Sequence, residues 1–159
     1  MKQIIFLCIL WVSTNVVFGQ VDTLEVYSKV MDQTIPNLII TPKDYTDQND
    51  ELPVLYLLHG AGGYFSNWFF RVPEIEQYAT DYNMIIVCPD GDKTSWYIDS
   101  PIDSASQYES YITRELVPAI DQKYRTIKQK DGRAITGLSM GGHGAFYLAF
   151  RNQDIWGAA

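Results

Sequence analysis

The chain is poor in the residues that build metal centres, disulfide frameworks and nucleic-acid surfaces. Its 159 residues include two Cys and two His. That is too little material for a disulfide scaffold or a zinc site. Cations are also scarce, with 12 Lys+Arg against 19 Asp+Glu and a net charge of -7. A protein that tracks a phosphate backbone draws its affinity from clustered cations, so nucleic acid is not an expected partner. Internal repeats and low-complexity segments are missing as well. What is present is apolar and aromatic. Hydrophobic residues make up 47%, charged residues 19%, and aromatics 14% with 11 Tyr. Such a composition excludes disorder and supplies a sizeable packed core. The length suits one domain.

The N-terminus reads as an address. Lys2 precedes the apolar run Ile4 to Val12, which falls well short of the ~20 residues a membrane span needs. Ser13, Thr14 and Asn15 follow, then Val17-Phe18-Gly19. The small residue Gly19, with Val17 two before it, fits a signal-peptidase site, so cleavage is expected between Gly19 and Gln20. Residues 1–19 are then a signal peptide and 20–159 the mature part of a secreted or periplasmic protein, with no membrane contact after cleavage. Cys8 leaves with the signal. Cys88 stays as the lone thiol, so no intrachain disulfide is expected.

Buried strands alternate with helices along the rest of the chain. Residues 24–31 and 35–41 read as two strands joined through Asp32 and Gln33. Residues 53–59 and 84–88 are unbroken apolar runs, the mark of strands covered on both faces. Between them, residues 74–82 read as a helix with Ile75, Tyr78, Ala79 and Tyr82 on one face. Residues 90–106 form a loop rich in Asp and Ser. Residues 107–124 carry a helical stripe from Tyr108 to Ile120 that Pro118 should kink. Residues 133–137 read as a third core strand, 141–151 as a helix, and Trp156 as the start of a further strand. This alternation predicts an α/β fold: a mostly parallel sheet with right-handed crossovers and an antiparallel N-terminal hairpin.

Two glycine-rich segments fall at the strand ends where ligands bind in such sheets. Gly137-Leu138-Ser139-Met140-Gly141 matches G-x-S-x-G, between an apolar strand and a helix. That is the setting of a nucleophile elbow, where a strained, sharp turn holds a serine hydroxyl at the mouth of a site. A chance Gly-rich turn would not need the second motif, His59-Gly60-Ala61-Gly62-Gly63, directly after the strand 53–59. Acyl transfer needs backbone N–H donors for the tetrahedral oxyanion. One donor follows the nucleophile, at Met140. The other belongs to the earlier loop and is assigned to Ala61. A phosphate-binding loop would carry a Lys that is not there.

The blocks LPVLYLLHGAGG, PDG followed by SWYIDSP, YITRELVPAIDQKYRT and GLSMGGHGAFYLAF resemble the esterase family of α/β-hydrolases. That family includes S-formylglutathione hydrolases, tributyrin esterases, feruloyl and acetyl-xylan esterases, and mycolyltransferases. The resemblance covers about residues 24–159. It implies Ser139 as nucleophile, Met140 and Ala61 as oxyanion donors, and no metal or cofactor. The implied substrate is a small-molecule or polysaccharide ester. Export favours carbohydrate-linked acyl groups over cytosolic thioesters.

In this fold the acid and the base follow the serine. After Ser139 the sequence offers only His143 and Asp154. His143 sits in the first turn of the elbow helix and is expected to be carried along its flank, as a packing residue. His59 is expected to fix the oxyanion loop. Asp154 comes too early for the acid. A full domain of this kind needs roughly 250 residues. The expectation is therefore a C-terminally truncated fold lacking roughly a hundred residues, inactive and poorly soluble if expressed alone.

Weaker signals remain. Trp96, Tyr97 and Trp68 lie on loops near the expected mouth, where they can stack on sugar or phenolic groups or simply cover the sheet edge. Trp96 and Tyr97 are the candidate substrate-binding pair. Asp90, Asp92, Asp99 and Asp103 form an acidic loop without the EF-hand spacing, so calcium is not expected. Glu109 reads as structural, at a helix start. Cys88 reads as an inert core thiol. Two rivals keep the same framework: an acyltransferase using the same serine, and a non-catalytic carbohydrate-binding relative.

Overall fold

The computed structural model describes residues 20–159. The expected signal peptide, with Cys8, lies outside the described residues. Five strands form one sheet: β1 (Val21–Ser28), β2 (Gln33–Ile40), β3 (Val54–Leu58), β4 (Ile85–Pro89) and β5 (Arg133–Gly137). Their order is β1-β2-β4-β3-β5. β1 and β2 pair antiparallel, as do β2 and β4, while β3 runs parallel to both β4 and β5. This is the sheet that the alternating pattern predicts. The hairpin, however, ends its first strand earlier than residue 31. Glu115 explains the difference. Its carboxylate accepts the Ser28 hydroxyl at 2.6 Å and the Lys29 and Val30 N–H groups at 2.9 and 3.3 Å, drawing these residues out of the ladder.

Helices cover both faces. Two short helices, α1 (Asn67–Arg71) and α2 (Ile75–Asp81), carry the chain from β3 to β4. Their apolar residues pack with Leu38, Ile40, Ile86 and Cys88. Only Ile75 and Ala79 of α2 are buried; Tyr78 and Tyr82 are exposed and lie against each other, 6.5 Å between ring centroids. The expected four-residue stripe is thus narrower, because a helix of two turns can press little more than one edge on the sheet.

The opposite face is covered by α3 (Tyr108–Ser110), a π-helical stretch (Tyr111–Leu116), α4 (Val117–Lys123) and α5 (Met140–Arg151). Pro118 lacks an N–H, and its ring crowds the carbonyl four residues back. The helical run therefore widens into a π stretch just before it and resumes as α4 with Pro118 in its first turn. Tyr111, Ile112, Leu116 and Ile120 are fully buried in the larger core with Tyr56, Leu58 and Ile135.

β5 departs from expectation. It is a half-covered strand, with Arg133 and Ile135 buried but Thr136 exposed. Among the described residues it sits at the sheet edge. Beyond it, the Ile135 N–H donates to the Ala158 carbonyl at 3.0 Å, and the Gly157 N–H donates to the Arg133 carbonyl at 2.9 Å. Trp156 packs edge-on against Tyr56 at 5.0 Å, so the segment after α5 does begin a parallel neighbour.

Candidate active site

β3 and β5 are adjacent and parallel, with Leu58 opposite Gly137 at their C-terminal ends. The chain leaving β3 turns to α1 on one face, and the chain leaving β5 turns to α5 on the other. Diverging exits from neighbouring parallel strands open a crevice, the usual ligand position in open α/β sheets. The His59–Gly63 loop and the 137–141 turn meet there. A Cβ on Gly60 would lie 3.2 Å from the Leu138 carbonyl oxygen and 3.6 Å from the Ser139 Cβ.

Ser139 has φ 56° and ψ -115°. A residue with a side chain pays about 1–3 kcal/mol for such a backbone, which persists only where its surroundings over-determine it. They do here. The Gly141 N–H donates to the Leu138 carbonyl at 2.9 Å, and the His143 N–H to the Ser139 carbonyl at 3.0 Å. A Cβ on Gly141 would come within 2.7 Å of the His59 carbonyl oxygen, and one on Gly137 within 2.7 Å of the Leu58 carbonyl oxygen. Both glycines are therefore required by close backbone approach. Ser139 itself is exposed, and its hydroxyl caps no N–H of α5.

The expected oxyanion donors stand free. Among the described residues, neither the Ala61 N–H nor the Met140 N–H has an intramolecular acceptor. The loop around Ala61 is held without them. The Gly62 N–H donates to the Lys93 carbonyl at 2.8 Å, and the Gly63 N–H to the Gly60 carbonyl at 3.0 Å.

His59 is buried and both its ring nitrogens are engaged. Nε2 accepts the Gly91 N–H at 3.0 Å, which places the proton on Nδ1, 2.9 Å from the Gly60 carbonyl oxygen. It ties the His59–Gly63 loop to the 90–96 loop, and neither ring nitrogen is free. His143 lies along the flank of α5, its Nδ1 3.1 Å from the Trp96 carbonyl oxygen and its ring stacked on Tyr147 at 5.7 Å. Among the described residues no imidazole hydrogen-bonds the Ser139 hydroxyl.

The two candidate substrate aromatics separate. Trp96 is 46% exposed and stands edge-on to His143 at 5.4 Å, one helical turn from Ser139. Tyr97 is a correction. It is fully buried and offers no surface to a substrate. Its hydroxyl donates to the His59 carbonyl at 3.1 Å, and its ring fills the space beside Gly91 and Gly144 where no side chain fits. Burial pushes its phenol pKa well up. The reason for the split is backbone: Trp96 and Tyr97 both adopt positive φ, 55° and 58°, which turns the second ring inward. Trp68 is half-buried, its indole N–H donating to the Leu58 carbonyl at 3.1 Å.

The acidic loop is engaged by its own backbone and by neighbouring segments. Asp90 accepts the Phe65 and Asp92 N–H groups at 3.2 and 2.9 Å, and Asp99 accepts the Ser110 N–H and hydroxyl at 2.9 and 2.7 Å. Glu109 does more than meet a helix dipole. Its buried carboxylate accepts Arg151 Nε at 2.9 Å, Asn152 Nδ2 at 3.1 Å and the Tyr147 hydroxyl at 3.2 Å, tying α3 to α5. Cys88 is buried in β4, and burial raises its thiol pKa to about 12.

The Esterase family profile matches residues 28–159. The chain belongs to that family. Its fold is accordingly the α/β-hydrolase fold. An esterase of Mycobacterium tuberculosis is 36% identical over 124 residues, which are 76% of this chain and 27% of that protein. An acetyl esterase of Caldicellulosiruptor saccharolyticus is 27% identical over 129 residues, 77% of this chain and 47% of its own. Among solved structures, a ferulic acid esterase superposes with a TM-score of 0.76 at 32% identity, covering 86% of this chain and 56% of that one. A fluorophosphonate-binding serine hydrolase of Staphylococcus aureus superposes with a TM-score of 0.79 at 25% identity, covering 88% and 55%. The chain thus spans about half the length, or less, of these esterase-family relatives. Family membership supports an ester hydrolase.

Proposed function

We propose that the protein is an exported serine carboxylic-ester hydrolase that works through an acyl-enzyme on Ser139. The observation that carries this reading is the strained Ser139 backbone, φ 56° and ψ -115°, set beside two unpaired N–H groups. Strain of this kind serves to present the hydroxyl.

The Ser139 Oγ attacks the ester carbonyl. The oxyanion that forms is held by the Ala61 and Met140 N–H groups, each worth about 3 kcal/mol to the transition state. A histidine takes the serine proton and returns it to the leaving alcohol, and a carboxylate orients that histidine. His59 and His143 are both turned to other partners, so the base and its carboxylate come from polypeptide outside these residues. Water then releases the acid from Ser139.

The relatives named for ferulic acid and acetyl esters support carbohydrate-linked or small acyl esters as substrates. Trp96, exposed near the elbow, is the aromatic that a sugar or phenolic ring would meet. Residues 1–19 act as the export signal, removed between Gly19 and Gln20. The test is turnover of 4-nitrophenyl acetate and of feruloylated or acetylated xylan by the natural polypeptide and its Ser139→Ala variant. Loss of turnover to background in the variant, with unchanged circular dichroism, is expected. Persistent turnover would overturn the assignment.

A further inference from the structure

The structure assigns His143 as the positioning residue for Trp96: its imidazole fixes the exposed indole beside the elbow, ready to stack on a ring of the ester. This rests on the esterase reading and specifies how the same site selects esters that carry a sugar or phenolic ring.

Three contacts place Trp96 relative to the nucleophile. The His143 N–H donates to the Ser139 carbonyl at 3.0 Å, so the imidazole belongs to the turn directly after the serine. A carbonyl oxygen only accepts, so His143 Nδ1 carries the proton and donates to the Trp96 carbonyl at 3.1 Å. The indole stands edge-on to the same imidazole at 5.4 Å. One side chain thus holds Trp96 by its backbone and by its ring. The hold matters because Trp96 and Tyr97 both adopt positive φ, a backbone that persists only where its neighbours impose it. Tyr97 is imposed by the core that buries its ring. Trp96 is exposed, and the bond to its carbonyl fixes the peptide plane between the two aromatics. With that plane, it fixes the direction in which the indole leaves the chain.

The imidazole is itself anchored. His143, Tyr147 and Arg151 stand four residues apart, on one face of α5. The imidazole is stacked on the Tyr147 ring at 5.7 Å, and the Arg151 guanidinium lies over that ring at 5.1 Å. Buried Glu109 accepts both the Tyr147 hydroxyl and Arg151 Nε. A column therefore runs from Glu109 to Trp96 along the helix that begins at Ser139. An aromatic ring ordered before the substrate arrives loses no side-chain freedom on binding. That saving lowers KM for an ester whose ring meets the indole and gives nothing to an ester without one. An imidazole that only packed would not distinguish the two.

The experiment measures KM and kcat of the natural polypeptide for three esters. Methyl ferulate carries its ring on the acyl side, a methyl O-acetylxyloside carries its ring on the alcohol side, and ethyl acetate has none. The readout is the ratio of KM for each ring ester to KM for ethyl acetate. His143→Phe keeps a ring against Tyr147 and removes the donor. It should raise the ratio about fivefold for at least one ring ester, as one side chain must now be ordered on binding, with little change in kcat. The ester that responds shows which side of the substrate meets Trp96. His143→Asn keeps an N–H near the Nδ1 position and should restore most of the ratio. In a Trp96→Ala background, His143→Phe should no longer move it, because His143 acts through the indole. An unchanged ratio in His143→Phe, an equal rise in His143→Asn, or a full effect without Trp96 overturns the assignment. So does an unmutated protein that turns over ethyl acetate but neither ring ester. Turnover that survives Ser139→Ala overturns the esterase reading instead.

Discussion

The His59 imidazole accepts the Gly91 N–H at 3.0 Å, and this bond joins the loop after β3 to the loop after β4. With Nδ1 facing the Gly60 carbonyl, the same side chain also braces the start of the turn that carries the Ala61 N–H. Replacing His59 by Ala leaves the Gly91 N–H buried and unpaired. Such a group costs about 1–3 kcal/mol, and the emptied space adds to it. A lowered urea midpoint of the natural polypeptide, worth about 2–3 kcal/mol, is expected, together with a fall in kcat. An unchanged midpoint would show that the bond is dispensable.

Ser139→Gly should separate activity from stability. Glycine adopts positive φ at little cost, so the substitution relieves strain of about 1–3 kcal/mol. The Ser139 hydroxyl caps no N–H of α5, so no capping bond is lost. The expected variant is inactive and about 1 kcal/mol more stable, seen as a higher Tm. A lower Tm would mean the elbow is not strained in solution.

Neighbouring glycines on α5 should behave oppositely. A Cβ on Gly141 meets the Leu58 and His59 backbone, which cannot yield without moving β3. Gly141→Ala is expected to cost at least about 2 kcal/mol and to abolish turnover. At Gly142 the nearest atom would be the Gly137 oxygen at 3.4 Å, an ordinary contact. There the helix preference for alanine dominates, and Gly142→Ala should stabilise by up to about 1 kcal/mol. Guanidinium unfolding of the pair checks the contrast.

Cys88 reports on opening of the sheet. Burial raises its pKa from 9.0 to about 12, so the folded thiol stays protonated at neutral pH and lies out of reach of reagents. Iodoacetamide at pH 8 should leave Cys88 unlabelled in the native protein and modify it fully in urea, as read by peptide mass spectrometry. The unfolded chain gives up this proton near pH 9 while the folded one holds it to about pH 12, so the group's contribution is present below pH 9 and is lost as pH rises through that window. Rapid labelling of native protein at pH 8 would contradict the burial.

The sharp turn at Ser139, the glycine-rich loop after β3 and the parallel pairing of β3, β4 and β5 were legible because each rests on neighbours in sequence. Gly137 and Gly141 flank Ser139, and apolar runs announce β3 and β4. The placements of His59 and His143 were also legible, one beside the glycine-rich loop and the other on the flank of α5. The end of β1 was not, since it depends on Glu115, far away in the chain. Nor was the anchoring of α5 by Glu109.

Trp96 and Tyr97 show where the division falls. They are adjacent aromatics in a loop without periodicity, so no pattern tells which ring is inside. Two successive positive φ values and the gaps beside Gly91 and Gly144 send Tyr97 inward and leave Trp96 half exposed. Local sequence is enough to set the strand–elbow–helix frame and the glycines that permit it, because backbone strain and hydrophobic periodicity are local. Which polar and aromatic side chains face the site depends on the folded chain, because satisfying a buried hydrogen bond or filling a gap needs residues brought together from distant parts of the sequence.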